Sequence, residues 1–215
     1  MTFAKRIAAL AAVLLVPLSL AGCGYNALPT QKNAAQTQWA NVQADYQRRS
    51  DLIPALVNTV KGYAAQEKSV LVEVTQARAS VGQIHVDANT LNDPAKFQQF
   101  QQAQGSLGDS LNRLMVVSER YPDLKSNQNF LALQNSLEMT ENRITYAIRD
   151  YNAAANTYNT SLVTFPTLIW HNTFQSSYKP LPLFQASATA QNMPTVDFSA
   201  PSATPTAPAP APAAK

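Results

Sequence analysis

Proton transfer at neutral pH draws most often on histidine, and this chain has two, His85 and His171. A nucleophilic triad would need one of them beside a serine held on a strained turn, and no GxSxG or comparable setting accompanies either. Both read as solvated loop residues. Glu138 and Glu141 stand one helical turn apart, a spacing with which carboxylates on facing bundle helices hold a di-iron pair. The Glu-x-x-His pairs that complete such a site are absent from the sequence. No glycine-rich phosphate loop occurs. The chain therefore reads as non-enzymatic, with no catalytic residue, cofactor or metal assigned.

Cys23 is the only cysteine, and its surroundings suggest a modification. Lys5 and Arg6 begin a positive segment, Ile7 to Leu20 form an apolar run, and Leu20-Ala21-Gly22 is a small-residue cleavage site. A lone thiol cannot staple an exported fold. Leu20-Ala21-Gly22-Cys23 instead matches the bacterial lipobox, in which a peptidase cuts before the cysteine and its sulfur receives diacylglycerol. An ordinary secretory signal and an uncleaved anchor are the alternatives, but the apolar run, interrupted by Pro17, falls short of the ~20 residues that span a bilayer. Two or three acyl chains anchor stably where one does not. The expected location is the cell envelope, facing away from the cytoplasm. Gly24 in place of an aspartate favours the periplasmic side of the outer membrane in a Gram-negative organism. Loss of Lys5 and Arg6 leaves fourteen basic against thirteen acidic residues, so no nucleic-acid partner is expected.

The elements around these residues are helical. Between Tyr121 and Phe165, apolar residues return by sevens at Phe130, Leu137, Ile144, Tyr151, Tyr158 and Phe165, as on the buried face of a long bundle helix. Trp39, Val42 and Tyr46 mark a first helix that Pro54 kinks, or that restarts there from Ser50 or Asp51. A second stripe is read straight through from Ile53 to Val81, with Glu67 on it. Asp93-Pro94 opens a third helix burying Phe97, Phe100, Leu107, Leu111 and Leu114. The expected fold is all-α, an antiparallel bundle of three to four long helices over 31–165. A signal peptide (1–22) and an acylated tether (23–30) precede it. An aromatic, proline-rich segment (166–185) and a disordered Ala/Pro-rich tail (186–215) follow. With three long elements, that aromatic segment would lie away from Cys23 and face outward. Its aromatic residues could pack on the helix ends, lie in the membrane interface or hold a partner, and packing with an outward-facing, partner-directed tail is the expectation preferred over membrane insertion.

QRRSDLIPALVNTVKGYAAQEKSVLVEVTQARA, YPDLKSNQNFLALQNSLEMTENRI, two Tyr-Asn pairs seven residues apart and a following Phe-Pro resemble the LemA family of bacterial membrane-associated proteins. The resemblance covers about residues 25–184. It implies a helical bundle attached to a membrane at its N-terminus, with no catalytic activity assigned to the family as a whole. Related proteins take part in magnetosome membrane formation, and some members are encoded beside TPM-domain proteins, which makes such a protein the implied partner. A lipobox replaces the N-terminal transmembrane helix of many members. The polar residues that resemble the family signature are Arg48, Arg49, Asp51, Lys61, Glu67, Arg78, Glu141, Asn142, Arg143, Arg149, Asn152 and Asn156. They either fix helix register through ion pairs and hydrogen bonds or form a partner-binding face. Glu67 should have an Arg or Lys neighbour on another helix, since a buried carboxylate needs one. The functional expectation is a membrane-anchored docking or scaffold module. The alternative is a ligand-binding protein or enzyme with a site in an inter-helix crevice, which would need a deep pocket with convergent polar groups.

Overall fold

A computed structural model describes residues 24–185, so the signal segment, Cys23 and the Ala/Pro tail lie outside the described residues. The helices are α1 (Ala27–Tyr63), α2 (Lys68–Gln83), α3 (Pro94–Arg120), the single turn α4 (Pro122–Lys125), α5 (Gln128–Val163) and α6 (Thr167–Thr173), with a 3-10 turn over Ala88–Asn92. No strand occurs among the described residues. The apolar spacing is what organises them. α1 buries Leu28, Ala35, Trp39, Val42, Tyr46, Ile53, Leu56 and Val60 along one stripe. α5 buries Phe130, Leu137, Ile144, Ala147, Tyr151, Ala155, Tyr158 and Leu162 along another. Side chains three and four apart share a helix face, so each stripe must be covered by other elements. Caps set the starts: Asp93 accepts from the Ala95 and Lys96 N–H groups ahead of Pro94, and Asn127 accepts from Phe130 N–H.

Two boundaries differ from the sequence expectation. α1 begins at Ala27, inside the stretch read as tether, with Pro29 in its first turn, where a missing N–H has no helical partner to lose. It then continues through Pro54 without a restart. The chain reverses instead at Ala64–Glu67, in the middle of the stripe read as continuous, and Ala64 N–H closes the helix on the Val60 carbonyl at 2.8 Å. Gly62 weakens that last turn relative to alanine.

This reversal raises the count of bundle segments to four. α1 packs most closely on α5, and α2 on α3. Trp39 meets Phe97 and Phe100, Arg49 meets Gln104, and Glu67 meets Tyr121, so α1 and α3 run in the same direction while α2 and α5 return. The segments are unequal, with 37 and 36 residues in α1 and α5 but 16 in α2. The connector after α2 turns over Trp39, whose Nε1–H donates to the Asp87 carbonyl at 3.2 Å, while Gln43 donates to the Val86 carbonyl. Beyond that level α1 and α5 are covered by a strap of residues 175–184. The strap follows α6, and α6 lies beside Gly24: a Cβ there would stand 3.1 Å from Trp170 Cδ1. The expectation that the aromatic segment lies away from the N-terminus is thereby overturned, because the fourth helix brings the chain back.

Candidate functional site

One polar layer crosses the core. Below it is an aromatic cluster built on Trp39, Tyr46, Phe97, Phe100 and Tyr151, and above it an aliphatic one built on Ile53, Leu56, Leu107, Leu111 and Leu114. In α1, α3 and α5 the heptad step between the clusters is filled by Arg49, Gln104 and Glu141. Arg49 is 4% exposed. Its Nη1 donates to both Glu141 carboxylate oxygens at 3.1 and 3.3 Å, and its Nη2 donates to the Gln104 carbonyl at 3.0 Å and to Gln104 Oε1. The guanidinium also lies 5.0 Å from the Tyr46 ring centroid. Burial pushes the Tyr46 hydroxyl up to about 12; the Arg49 charge opposes that shift and the Glu141 charge adds to it. A buried guanidinium requires such partners, so this layer sets the register of three helices against one another.

A second device repairs α1. Pro54 has no N–H to give the carbonyl four residues back, which is that of Ser50. Arg78, from α2, donates its Nε–H to that carbonyl at 3.0 Å. Glu67, expected on a buried stripe, lies instead in the turn before α2. It pairs with Arg120 Nη2 at 3.2 Å and accepts the Tyr121 hydroxyl at 3.1 Å. The expected cationic partner on another helix is there. The pair is only partly sheltered, however, with side-chain exposures of 17% for Glu67 and 59% for Arg120.

The third device is a clamp on the strap. The Tyr151 hydroxyl donates to the Pro182 carbonyl at 2.7 Å and the Tyr158 hydroxyl to the Lys179 carbonyl at 3.1 Å. Asn152 exchanges two hydrogen bonds with the backbone of Phe184, and Asn159 does the same with Leu181. The spacings agree: seven helical residues rise ~10.5 Å, and three extended residues span ~10 Å. Pro180 and Pro182 occupy positions whose N–H the clamp does not use. Phe184 closes the strap against Phe97, with ring centroids 4.8 Å apart. Burial raises both tyrosine hydroxyls, that of Tyr158 to about 12.

The signature residues thus divide in two. Arg49, Glu67, Arg78, Glu141 and Asn152 tie elements together, whereas Arg48, Asp51, Lys61, Asn142, Arg143, Arg149 and Asn156 are exposed. Asp51 accepts from Gln47 at 2.8 Å, and Arg149 lies over the Tyr146 ring at 5.2 Å. On α5, Met139, Asn142, Tyr146, Arg149 and Asn156 recur at helical spacing on the outer side, and Met139 and Tyr146 are each 59% exposed. His85 is exposed as expected, but His171 stands partly buried in α6 instead of in a solvated loop, its Nδ1 3.1 Å from the Gln175 carbonyl. No group of three His, Cys, Asp or Glu residues among the described residues could hold a metal. A half-open cleft of about 230 Å³, lined in part by Gln43, Tyr46, Ser50 and Gln104, adjoins the polar layer. It falls below the ~300–1,000 Å³ of typical small-molecule sites, whereas open surface clefts of about 430 Å³ beside Lys32 and Tyr178 and about 560 Å³ beside His85 and Lys96 fall within that range. Sequence reasoning passed over Gln104, Asn159 and the hydroxyls of Tyr151 and Tyr158. The repeated Tyr-Asn pair was the signal for all of these but Gln104.

The sequence of this chain matches the model of the LemA family over residues 38–198. Among similar proteins, Magnetosome protein MamQ 2 of Paramagnetospirillum magneticum strain AMB-1 is 29% identical over 158 residues, covering 66% of this chain and 58% of its own. Magnetosome protein MamQ of Magnetospirillum gryphiswaldense strain MSR-1 is 28% identical over the same length and coverage. Protein LemA of Metamycoplasma hominis is 29% identical over 143 residues, covering 66% of this chain and 61% of its own. The chain therefore spans less than two thirds of the length of these relatives. No helix among the described residues is long and apolar enough to cross a membrane.

Proposed function

This chain belongs to the LemA family, and on that premise we propose that it is a non-enzymatic lipoprotein of the cell envelope, acylated at Cys23, whose helical bundle is a docking module for another envelope protein. The observation that carries the docking part is the outer stripe of α5. There Met139 and Tyr146 are exposed among Asn142, Arg149 and Asn156, and Arg149 stacks on Tyr146. Tyrosine and arginine are the residue types that dominate protein interfaces, and methionine is enriched in them. Arg49 is engaged with Glu141 and Gln104, and Arg78 with a backbone carbonyl, which supports a structural rather than a catalytic use for them. The likeness to proteins named for the magnetosome supports the membrane part, and a TPM-domain protein is the first partner to test.

The test is a photo-crosslinking residue placed at Tyr146 in the full-length protein in its own cells, with Ser80, exposed on α2, as the control position. A discrete adduct from Tyr146 that disappears with Arg149→Glu, and that Ser80 does not give, is the expected result. No adduct at Tyr146, or the same adduct from Ser80, would remove the stripe from consideration.

A further inference from the structure

The end of the bundle beside Gly24 combines two independent features. Exposed apolar side chains occur singly along the helices elsewhere, but here they are concentrated: Tyr25, Val163, Phe165, Ile169 and Phe174 are between 48% and 74% exposed. Four of the five sit at the α5–α6 corner. The fifth, Tyr25, joins them through Trp170, whose ring lies 5.6 Å from that of Tyr25 and 5.9 Å from that of Phe174. The same end also has no carboxylate. Neither residues 24–44 nor residues 151–185 contain an Asp or Glu, whereas twelve of the thirteen acidic residues lie between Asp45 and Asp150. Lys32 and Lys179 supply the charge instead, with Lys32 lying 5.2 Å from the Tyr178 ring centroid.

A water-facing surface explains neither feature, since such surfaces mix both signs of charge and avoid contiguous aromatic patches. A phospholipid headgroup layer explains both. Aromatic rings that are apolar on one side and wet on the other settle at that depth. Lipid phosphates attract lysine and disfavour carboxylates. Chain geometry brings the bilayer to this end. Cys23 is one residue from Gly24, and Leu20, the last residue of the apolar run, is four residues away, at most ~15 Å when extended. An acyl chain on Cys23 and an uncleaved apolar anchor therefore deliver the membrane to the same place.

We infer that this carboxylate-free aromatic end is a membrane-seating face, with Phe165, Ile169 and Phe174 entering the interfacial region of the bilayer and holding the bundle at a fixed orientation on it. The inference rests on the membrane anchoring proposed above and adds a second contact to it.

Full-length protein purified from membranes is reconstituted into phospholipid vesicles with brominated acyl chains, and tryptophan emission is compared with that in unbrominated vesicles. Trp39 lies in the core and keeps its emission, so the expected result is loss of the Trp170 component, absent in Trp170→Phe and reduced in the Phe165→Asp/Phe174→Asp variant. Both phenylalanines are over 70% exposed, so the aspartates leave the fold intact. Vesicle flotation keeps the two claims separate. Protein that floats without Trp170 quenching is anchored but not seated, which overturns this inference alone. Protein that does not float overturns the anchoring and this inference together. Quenching undiminished by the two aspartates shows that these rings do not hold the end down, and the inference fails. It fails likewise if Trp170 is shielded from lipid only at high protein density, because a second copy then covers the patch.

Discussion

Glu141→Ala should destabilise the bundle more than Arg49→Met, even though Arg49 is the buried member of their ion pair. Side-chain exposure is 5% for Arg49 and 42% for Glu141. Removing one partner of a fully buried pair costs ~3–5 kcal/mol, because the remaining charge is left without compensation. Two features reduce that figure for Glu141→Ala. Arg49 keeps the two Gln104 oxygens and the Tyr46 ring, and water reaches the place the carboxylate left. About 2–3 kcal/mol remains. Arg49→Met instead withdraws the buried cation, puts a side chain of similar volume between two apolar clusters and leaves Glu141 to the solvent, for about 1 kcal/mol or less. The double variant Arg49→Met/Glu141→Ala should then resemble Arg49→Met, giving a coupling of roughly 2–3 kcal/mol, the whole of the Glu141→Ala cost. Urea unfolding of residues 24–185, followed by far-ultraviolet circular dichroism, measures all three. If Arg49→Met proves the costlier change, or if the two effects add, the polar layer is not held in the way described.

Arg78→Ala should cost about 1–2 kcal/mol, as loss of a charge-assisted hydrogen bond does. Most of that cost should vanish in a Pro54→Ala background, where residue 54 supplies its own N–H to the Ser50 carbonyl; equal costs in both backgrounds would contradict the repair. Asn152→Ala with Asn159→Ala should free the strap, seen as faster hydrogen exchange at the Leu181 and Phe184 amides and as new protease cleavage within 175–184. The clamp should also open in alkali. Its tyrosines donate only when neutral, and burial raises both, so the stabilisation is complete below about pH 10 and is lost as pH rises through the Tyr158 value of about 12. Exchange-protected amides in the strap report this, and Tyr158→Phe should remove that residue's share of the pH dependence. Glu67→Ala should cost about 1 kcal/mol or less, because Arg120 is 59% exposed and water replaces its partner; a loss of 3 kcal/mol or more in urea unfolding would mean the pair is sealed from solvent.

The long stripes of α1, α3 and α5 were legible because a repeat of seven carries helix and buried face together. The reversal at Ala64–Glu67 was not, because the apolar phase of Ile53, Leu56 and Val60 continues into Val70 and Val74 as though no turn intervened. That gap placed Glu67 inside a continuous helix instead of in the turn before α2, although its expected cationic partner is present, and it lowered the apparent number of segments, which in turn sent the aromatic segment to the wrong end. Pro54 misled in the opposite direction. The rule that proline breaks helices concerns an orphaned carbonyl, and here the remedy comes from Arg78, 24 positions along the chain and on another helix. Arg49 was named in the sequence, but nothing in Gln47-Arg48-Arg49-Ser50 distinguishes a buried guanidinium from the exposed one beside it. The strap has the composition of a coil, and its order is encoded elsewhere, in the Tyr-Asn pairs of α5.

The central claim is a bundle tethered through Cys23 with its carboxylate-free end at the membrane, and the most direct test is mass spectrometry of the N-terminal tryptic peptide from membrane-extracted protein. The account predicts a peptide that begins at Cys23, ends at Lys32 and carries a diacylglyceryl group on the cysteine sulfur. A peptide with an unmodified Cys23, or one continuous with residues before it, would contradict the acyl tether.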